Sequence, residues 1–139
     1  MINLSKSIQA NFYIDSSGYY KETTEPEKDI LPVSYLWGLC AMLQAHNEME
    51  KIMIKKALIT STFNIIKKYY DPAIPAAGYA SYSIELKGGS RFYDDNQWIG
   101  IAAMDDYTRT KKSEWLHTGK EIYQFMMTGY DTVAGGSLY

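Results

Sequence analysis

Two stretches of this chain carry no charge, yet each is long enough to be most of a helix. They are residues 35–45 and Trp98-Ile-Gly-Ile-Ala-Ala-Met104. A helix that is neutral on every face predicts burial on every face. Each is followed by a stretch of the other kind. Over 51–70, Ile59, Phe63, Ile66 and Tyr70 recur at helical spacing, while Lys55, Lys56, Lys67 and Lys68 take other positions. Over 112–129, Leu116, Gly119, Ile122 and Met126 mark one face, with Lys120, Glu121 and Gln124 elsewhere. Neutral helices alternating with one-sided ones are what two concentric layers produce. The order predicts an all-α fold of the α/α-toroid type, and a bundle around one central helix would give the same order.

The punctuation divides the chain into five helices. The first spans about 4–14 and ends at Asp15-Ser-Ser-Gly18. A polar loop with two prolines fills 19–32. The second helix is expected over 33–49, with Ser34 as a cap near its start. The third, over 51–70, stops at Asp71-Pro72. A long connection over 72–93 contains a candidate strand at 80–86 and a turn at Lys87-Gly88-Gly89-Ser90. Connections of this length are uncommon in compact domains and tend to be functional. The fourth helix is expected over 95–108 and the fifth over 112–129. A loop containing Gly135-Gly136 closes the sequence.

Bulk properties narrow the function classes. A chain of 139 residues, 46% apolar, can build one domain with a real core. A net charge of −2 gives no electrostatic reason to expect nucleic acid or anionic lipid. Cys40 is the only cysteine, so no intrachain disulfide can form, which argues weakly for a reducing compartment. The start, Met1-Ile-Asn-Leu-Ser-Lys6, does not read as a signal peptide, and no apolar run reaches the ~20 residues of a membrane span. The sequence as given reads as cytoplasmic, and as secreted or cell-surface if a leader has been lost.

The chemistry-bearing segment is Gly88-Gly-Ser-Arg-Phe-Tyr-Asp-Asp-Asn-Gln-Trp98. Asp94 and Asp95 are adjacent and flanked by aromatic side chains. Cleavage of a glycosidic bond requires one carboxyl to protonate the leaving oxygen and another to attack the sugar or activate water. Aromatic faces offer the apolar surface on which a sugar ring lies. Adjacent residues in mid-helix diverge by about 100°, so two acids addressing one sugar fit best at a helix start. There the helix dipole favours both anions, and desolvation plus mutual repulsion must keep one protonated. A plainer reading also holds: Asp-Asp-Asn before an apolar run is an ordinary helix start with one aspartate as cap. That reading accounts for one aspartate and leaves the second unexplained.

Phe92-Tyr-Asp-Asp-Asn-Gln-Trp98, followed by Gly100, Ile101, Ala102, Asp105 and Tyr107, resembles the signature of glycoside hydrolase family 76. So does Gly129-Tyr-Asp131 followed by Gly135, Gly136 and Tyr139. The family comprises endo-α-1,6-mannanases and fungal cell-wall transglycosidase relatives. The resemblance implies an (α/α)6 toroid of about a dozen helices, of which this chain would be the amino-terminal part. It implies retaining hydrolysis of α-mannosidic linkages, with Asp94 as nucleophile and Asp95 as acid/base. Tyr93 and Trp98 would shape the sugar site. The sequence departs from the pattern at Ile99, where a second tryptophan is expected, and at Ser137, Leu138 and Tyr139 after the second landmark. These departures bear on the substrate more than on the chemistry. An arc of five helices would leave the inner faces of the second and fourth without partners.

Tyr35 and Trp37, near the start of the second helix, are candidates to reach the same mouth. Asp105-Asp106 reads as polar termination and loop bonding. His46 and His117 lack Cys or acidic neighbours at ligand spacing, so no metal is expected, and no organic cofactor is implied. Lys87-Gly-Gly-Ser90 is too short for a phosphate loop. Cys40, in a neutral helix, reads as packing. The partner expected is an oligo- or polysaccharide. Transfer to a sugar instead of water, and a non-catalytic carbohydrate-binding domain, remain alternatives.

Overall fold

The computed structural model describes residues 2–25, 31–52, 57–133 and 137–138. Lys55, Lys56, Gly135, Gly136, Tyr139 and the centre of the 19–32 loop lie outside the described residues. Five helices carry the fold: α1 (Ile2–Phe12), α2 (Leu36–Ile52), α3 (Leu58–Ile66), α4 (Tyr93–Thr110) and α5 (Ser113–Met127). Three two-residue strand pairs tie the connections. They are β1 (Tyr13–Ile14) with β2 (Tyr19–Tyr20), β3 (Tyr70–Asp71) with β4 (Gly78–Tyr79), and β5 (Tyr130–Asp131) with β6 (Ser137–Leu138), all antiparallel.

The expected layering is present. α2 lies beside α4, α3 packs behind α2, and α5 packs behind α4. Phe63 of α3 meets Trp115 of α5 with ring centroids 4.8 Å apart, which joins the outer pair. Leu36, Leu39, Leu43, Ile59, Ile66, Ile99 and Trp115 are buried between the layers. The α2–α4 seam is polar at intervals: Gln44 Nε2 donates to the Trp98 carbonyl (2.6 Å), and Asn47 Nδ2 to Asp105 Oδ2 (2.8 Å). Lys51 Nζ pairs with Asp105 at 2.9 Å. α4 and α5 approach closely because Gly100 faces Ile122 and Gly119 faces Met104.

Several boundaries differ from those expected. α2 starts at Leu36, not at 33, because the preceding backbone is engaged elsewhere. The Ser34 N–H donates to the Tyr20 carbonyl (2.7 Å) and the Leu36 N–H to the Ser81 carbonyl (2.9 Å). The Ser34 hydroxyl donates to the Tyr35 carbonyl and does not cap. α3 starts only at Leu58, since Ala57 is left-handed (φ 84°), and it ends in a 3₁₀ turn, Lys67–Tyr69. The alternation at 80–86 is not a strand. Ser83 O accepts N–H groups from Leu86, Lys87 and Gly88 in a tight turn, and the extended pair lies earlier, at β4.

Burial on every face fails, and the unpartnered inner faces expected of a five-helix arc are present. α2 and α4 are not covered on every side. Trp37 is 62% exposed, Trp98 43%, Ile101 41% and Met104 41%. Each helix has neighbours behind and beside it among the described residues, and its remaining face is open. Among the described residues, no helix is long and apolar enough to cross a membrane.

Candidate active site

Asp94 and Asp95 are the second and third residues of α4. Phe92 occupies the cap position in extended conformation and offers no side-chain cap. The expectation that one aspartate caps the helix therefore fails: both lie within the first turn. They differ in environment. Asp94 is exposed and Asp95 only 6% exposed. The Asp95 N–H donates to Asp94 Oδ1 at 3.0 Å. Behind Asp95, the buried Cys40 thiol donates to the Asp95 carbonyl at 3.4 Å. Burial, then the charges of Asp95 and Asp94, push that thiol well above its ordinary range, so it stays protonated. Cys40 is packing, not nucleophile.

Both aspartates open into one cleft of about 440 Å³, also lined by Glu22, Tyr35, Trp37, Ser81 and Phe92. That volume suits a small ligand, for which sites span about 300–1,000 Å³. Four separate chain segments meet here. The start of α2 brings Tyr35 and Trp37, and the strand leaving β2 brings Glu22. Ser81 arrives because its carbonyl accepts the Leu36 N–H and its N–H donates to the Ser90 carbonyl (2.8 Å). Phe92 precedes α4. A larger groove, about 1,180 Å³, runs between α1, α2 and α3 and is lined by Ile8, Phe12, Met42, Met49 and Ile65 among others. Its walls mix apolar side chains with polar and charged ones, Glu22 among them, and hold no adjacent acid pair. The adjacent acids lie in the smaller cleft.

Burial, and secondarily the Asp94 charge, raise the Asp95 pKa above the ordinary carboxylate value. The first turn of a helix favours anions, and the burial of Asp95 acts in the opposite direction. The arrangement thus sets a shielded carboxyl with a raised pKa beside an exposed one.

Of the aromatic residues singled out in the sequence, Tyr35 and Trp37 line the cleft and Tyr93 and Trp98 do not. Tyr93 turns toward α5: its ring lies 5.0 Å from that of Phe125, and its hydroxyl is 3.1 Å from Thr128 Oγ1. A Cβ on Gly129 would stand 2.6 Å from Tyr93 Cζ. Tyr93 therefore joins the two sequence landmarks. Trp98 sits one turn beyond Asp94 on the same side of α4, its ring part-exposed and its carbonyl held by Gln44. The third letter of Asp-Asp-Asn is structural. Asn96, fully buried, accepts from the Tyr79 N–H (2.7 Å) and donates to the Tyr79 and Phe92 carbonyls (2.9 and 2.8 Å). Asp105 and Asp106 bond to Asn47, Lys51 and Arg109, within and between helices and not in a loop. They lie about 16 Å along α4 from Asp94.

The model of glycosyl hydrolase family 76 matches residues 5–139. The chain belongs to glycosyl hydrolase family 76. Among solved structures, a GH76 alpha-mannanase of Bacteroides thetaiotaomicron superposes with a TM-score of 0.80 at 26% identity, over 99% of this chain and 38% of its own. A family 76 mannosidase of the same species gives 0.71 at 21% identity, over 96% of this chain and 38% of its own. A family 76 enzyme from a bovine strain of that species gives 0.72 at 20%, over 99% and 31%. The last two attest the fold alone. No curated protein matches the chain. The five helices are an arc of the family 76 (α/α)6 toroid, and the chain spans less than half the length of these solved relatives.

Proposed function

We propose that the protein is a glycoside hydrolase that cleaves α-1,6-linked mannan or related α-mannosides with retention. The observation carrying this reading is the division between two adjacent carboxyls in one cleft, Asp95 buried with a raised pKa and Asp94 exposed. Asp94 attacks the anomeric carbon while Asp95 delivers its proton to the departing glycosidic oxygen. Asp95, now a carboxylate, takes a proton from water, which releases the sugar from Asp94. A retaining pair stands about 5 Å apart, a separation that neighbouring residues in a first turn can meet. The mannan assignment draws on family membership and on the alpha-mannanase relative.

The roles separate in one experiment on the full protein with α-1,6-mannan and an aryl α-mannoside bearing a good leaving group. Asp94→Asn should reduce turnover of both to background. Asp95→Asn should lose about 10²–10⁴-fold on mannan and much less in the first step on the aryl mannoside, which needs no proton. Undiminished mannan hydrolysis by either variant would remove that residue's role. One observation favours transfer as a second reading: Trp37 stands 62% exposed at the cleft edge, a platform an acceptor sugar could occupy. Lengthened chains among the products would favour it over hydrolysis.

A further inference from the structure

Glu22 shares the cleft with the two aspartates but has no part in the chemistry described above. It lies two residues past β2, where the backbone is tied on both sides: the Lys21 N–H donates to the Phe12 carbonyl (2.8 Å), and the Tyr20 carbonyl accepts the Ser34 N–H (2.7 Å). Its side chain is fixed as well. Oε2 accepts the Tyr35 N–H at 2.9 Å, just ahead of α2. Oε1 accepts no hydrogen bond from any described residue. Among the described residues, no Lys, Arg or His lines the cleft. A neutral amide would tether Tyr35 equally well. Among the described residues, the cleft offers the Glu22 carboxylate no cation.

We infer that Glu22 determines saccharide specificity, its free oxygen accepting a ring hydroxyl of a sugar unit that lies on Tyr35 and Trp37, beside the unit being cleaved. The inference rests on the carbohydrate reading of the cleft. The chemistry is complementary: aromatic faces take the C–H face of a pyranose, and a carboxylate is a strong acceptor for its hydroxyls. Burial and Asp94, not Glu22, raise the pKa of Asp95. Glu22 thus addresses a neighbouring position and leaves the acid alone.

The test compares wild type, Glu22→Gln and Glu22→Ala. Turnover is measured on α-1,6-mannotetraose. Binding of gluco-, galacto- and manno-disaccharides is measured by calorimetry in the Asp94→Asn background. Glutamine keeps an acceptor for the Tyr35 N–H and replaces the free oxygen with a donor. Glu22→Gln should weaken disaccharide binding and raise KM about tenfold, the equivalent of one charged hydrogen bond. The kcat, the pH profile and the melting temperature should be unmoved. Glu22→Ala should lose as much binding, and some stability through the freed Tyr35 N–H. Mannan turnover with unchanged KM and binding in both variants overturns the inference and leaves the hydrolase reading standing. A shifted pH profile with unchanged KM overturns it too, by placing Glu22 in the chemistry. Disaccharide binding that needs Glu22, without any turnover by wild type, supports the inference and removes the hydrolase reading. Absence of both binding and turnover in wild type removes both.

Discussion

The raised pKa of Asp95 is linked to the stability of the fold. A carboxyl whose pKa is raised on folding keeps its proton in the native state at a pH where the unfolded chain has already lost it. Native stability therefore falls as pH rises from the ordinary carboxylate value through the raised one, and it stays reduced above. Asp95→Asn removes that penalty. The variant should melt at a higher temperature than wild type near neutral pH, while the advantage disappears in acid below the ordinary carboxylate value. Calorimetric scans across pH check this, and an equal offset at every pH would show that burial of the charge is not the cause. The same proton sets an activity limit: mannan hydrolysis should decline as pH climbs past the raised value, because the leaving oxygen then lacks a donor. In the sequence, the placing of Asp94 and Asp95 together at a helix start could be read because both sit in one unbroken motif. Glu22 and Ser81 could not. They reach the cleft through a hairpin return and a long connection whose course depends on backbone hydrogen bonds, and Glu22 looks like any solvated loop charge. Tyr93 misled for a related reason. Its partner, Gly129, is remote in the chain, and proximity to Asp94 in sequence said nothing about which way its ring turns.

Two pairs of elements depend on single residues. Asn96 clamps the Tyr79 backbone of β4 and the Phe92 carbonyl onto the first turn of α4. Asn96→Ala would strand buried backbone groups, each worth about 1–3 kcal/mol, for a loss of about 3 kcal/mol. Urea unfolding should show this, and mannan hydrolysis should drop with it, since the clamp seats the connection that delivers Ser81 and Phe92. A loss below about 1 kcal/mol would mean that water replaces the clamp. The α4–α5 contact gives a sharper comparison. A Cβ at Gly119 would come within 2.5 Å of Met104 Sδ, the end of a flexible, 41% exposed side chain that can swing away. A Cβ at Gly100 would come within 2.8 Å of Ile122 Cγ2, a branched chain 3% exposed with nowhere to move. Both changes to alanine add up to about 1 kcal/mol of helix propensity. Gly119→Ala should be neutral or stabilising, and Gly100→Ala should cost about 1–3 kcal/mol. Similar midpoints for the two would show that α4 and α5 adjust as rigid bodies. Helix existence was legible from periodicity throughout, whereas the starts of α2 and α3 were not. Hydrogen bonds to Tyr20 and Ser81 hold 33–35 extended, and a left-handed Ala57 delays α3; neither leaves a mark in composition.

The alternation of neutral and one-sided helices made the two-layer arrangement readable, because layering is a property of faces and faces repeat with the helix period. Neutrality alone overstated the burial of those faces, because it records that a surface avoids water without recording what covers it; the arc implied by the family resemblance leaves them open, as they are. On α2 and α4 that surface includes Trp37, Trp98 and Ile101, each more than 40% exposed, and the apolar part of the groove along α1, α2 and α3 adds to it. Monomeric soluble proteins seldom present contiguous apolar patches beyond a few hundred Å². Residues 1–139 prepared alone should therefore bind an apolar dye and self-associate in sedimentation velocity. Ile101→Lys should reduce both without loss of helical circular dichroism, since Ile101 is 41% exposed. Undiminished association in that variant would move the adhesive surface to the groove, where Met42→Lys should then be the effective change. A monomer that binds no dye would mean that the open faces of α2 and α4 close on each other in solution. The cleft holding Asp94, Asp95 and Glu22 would then narrow, and saccharide binding by the isolated residues would weaken in step.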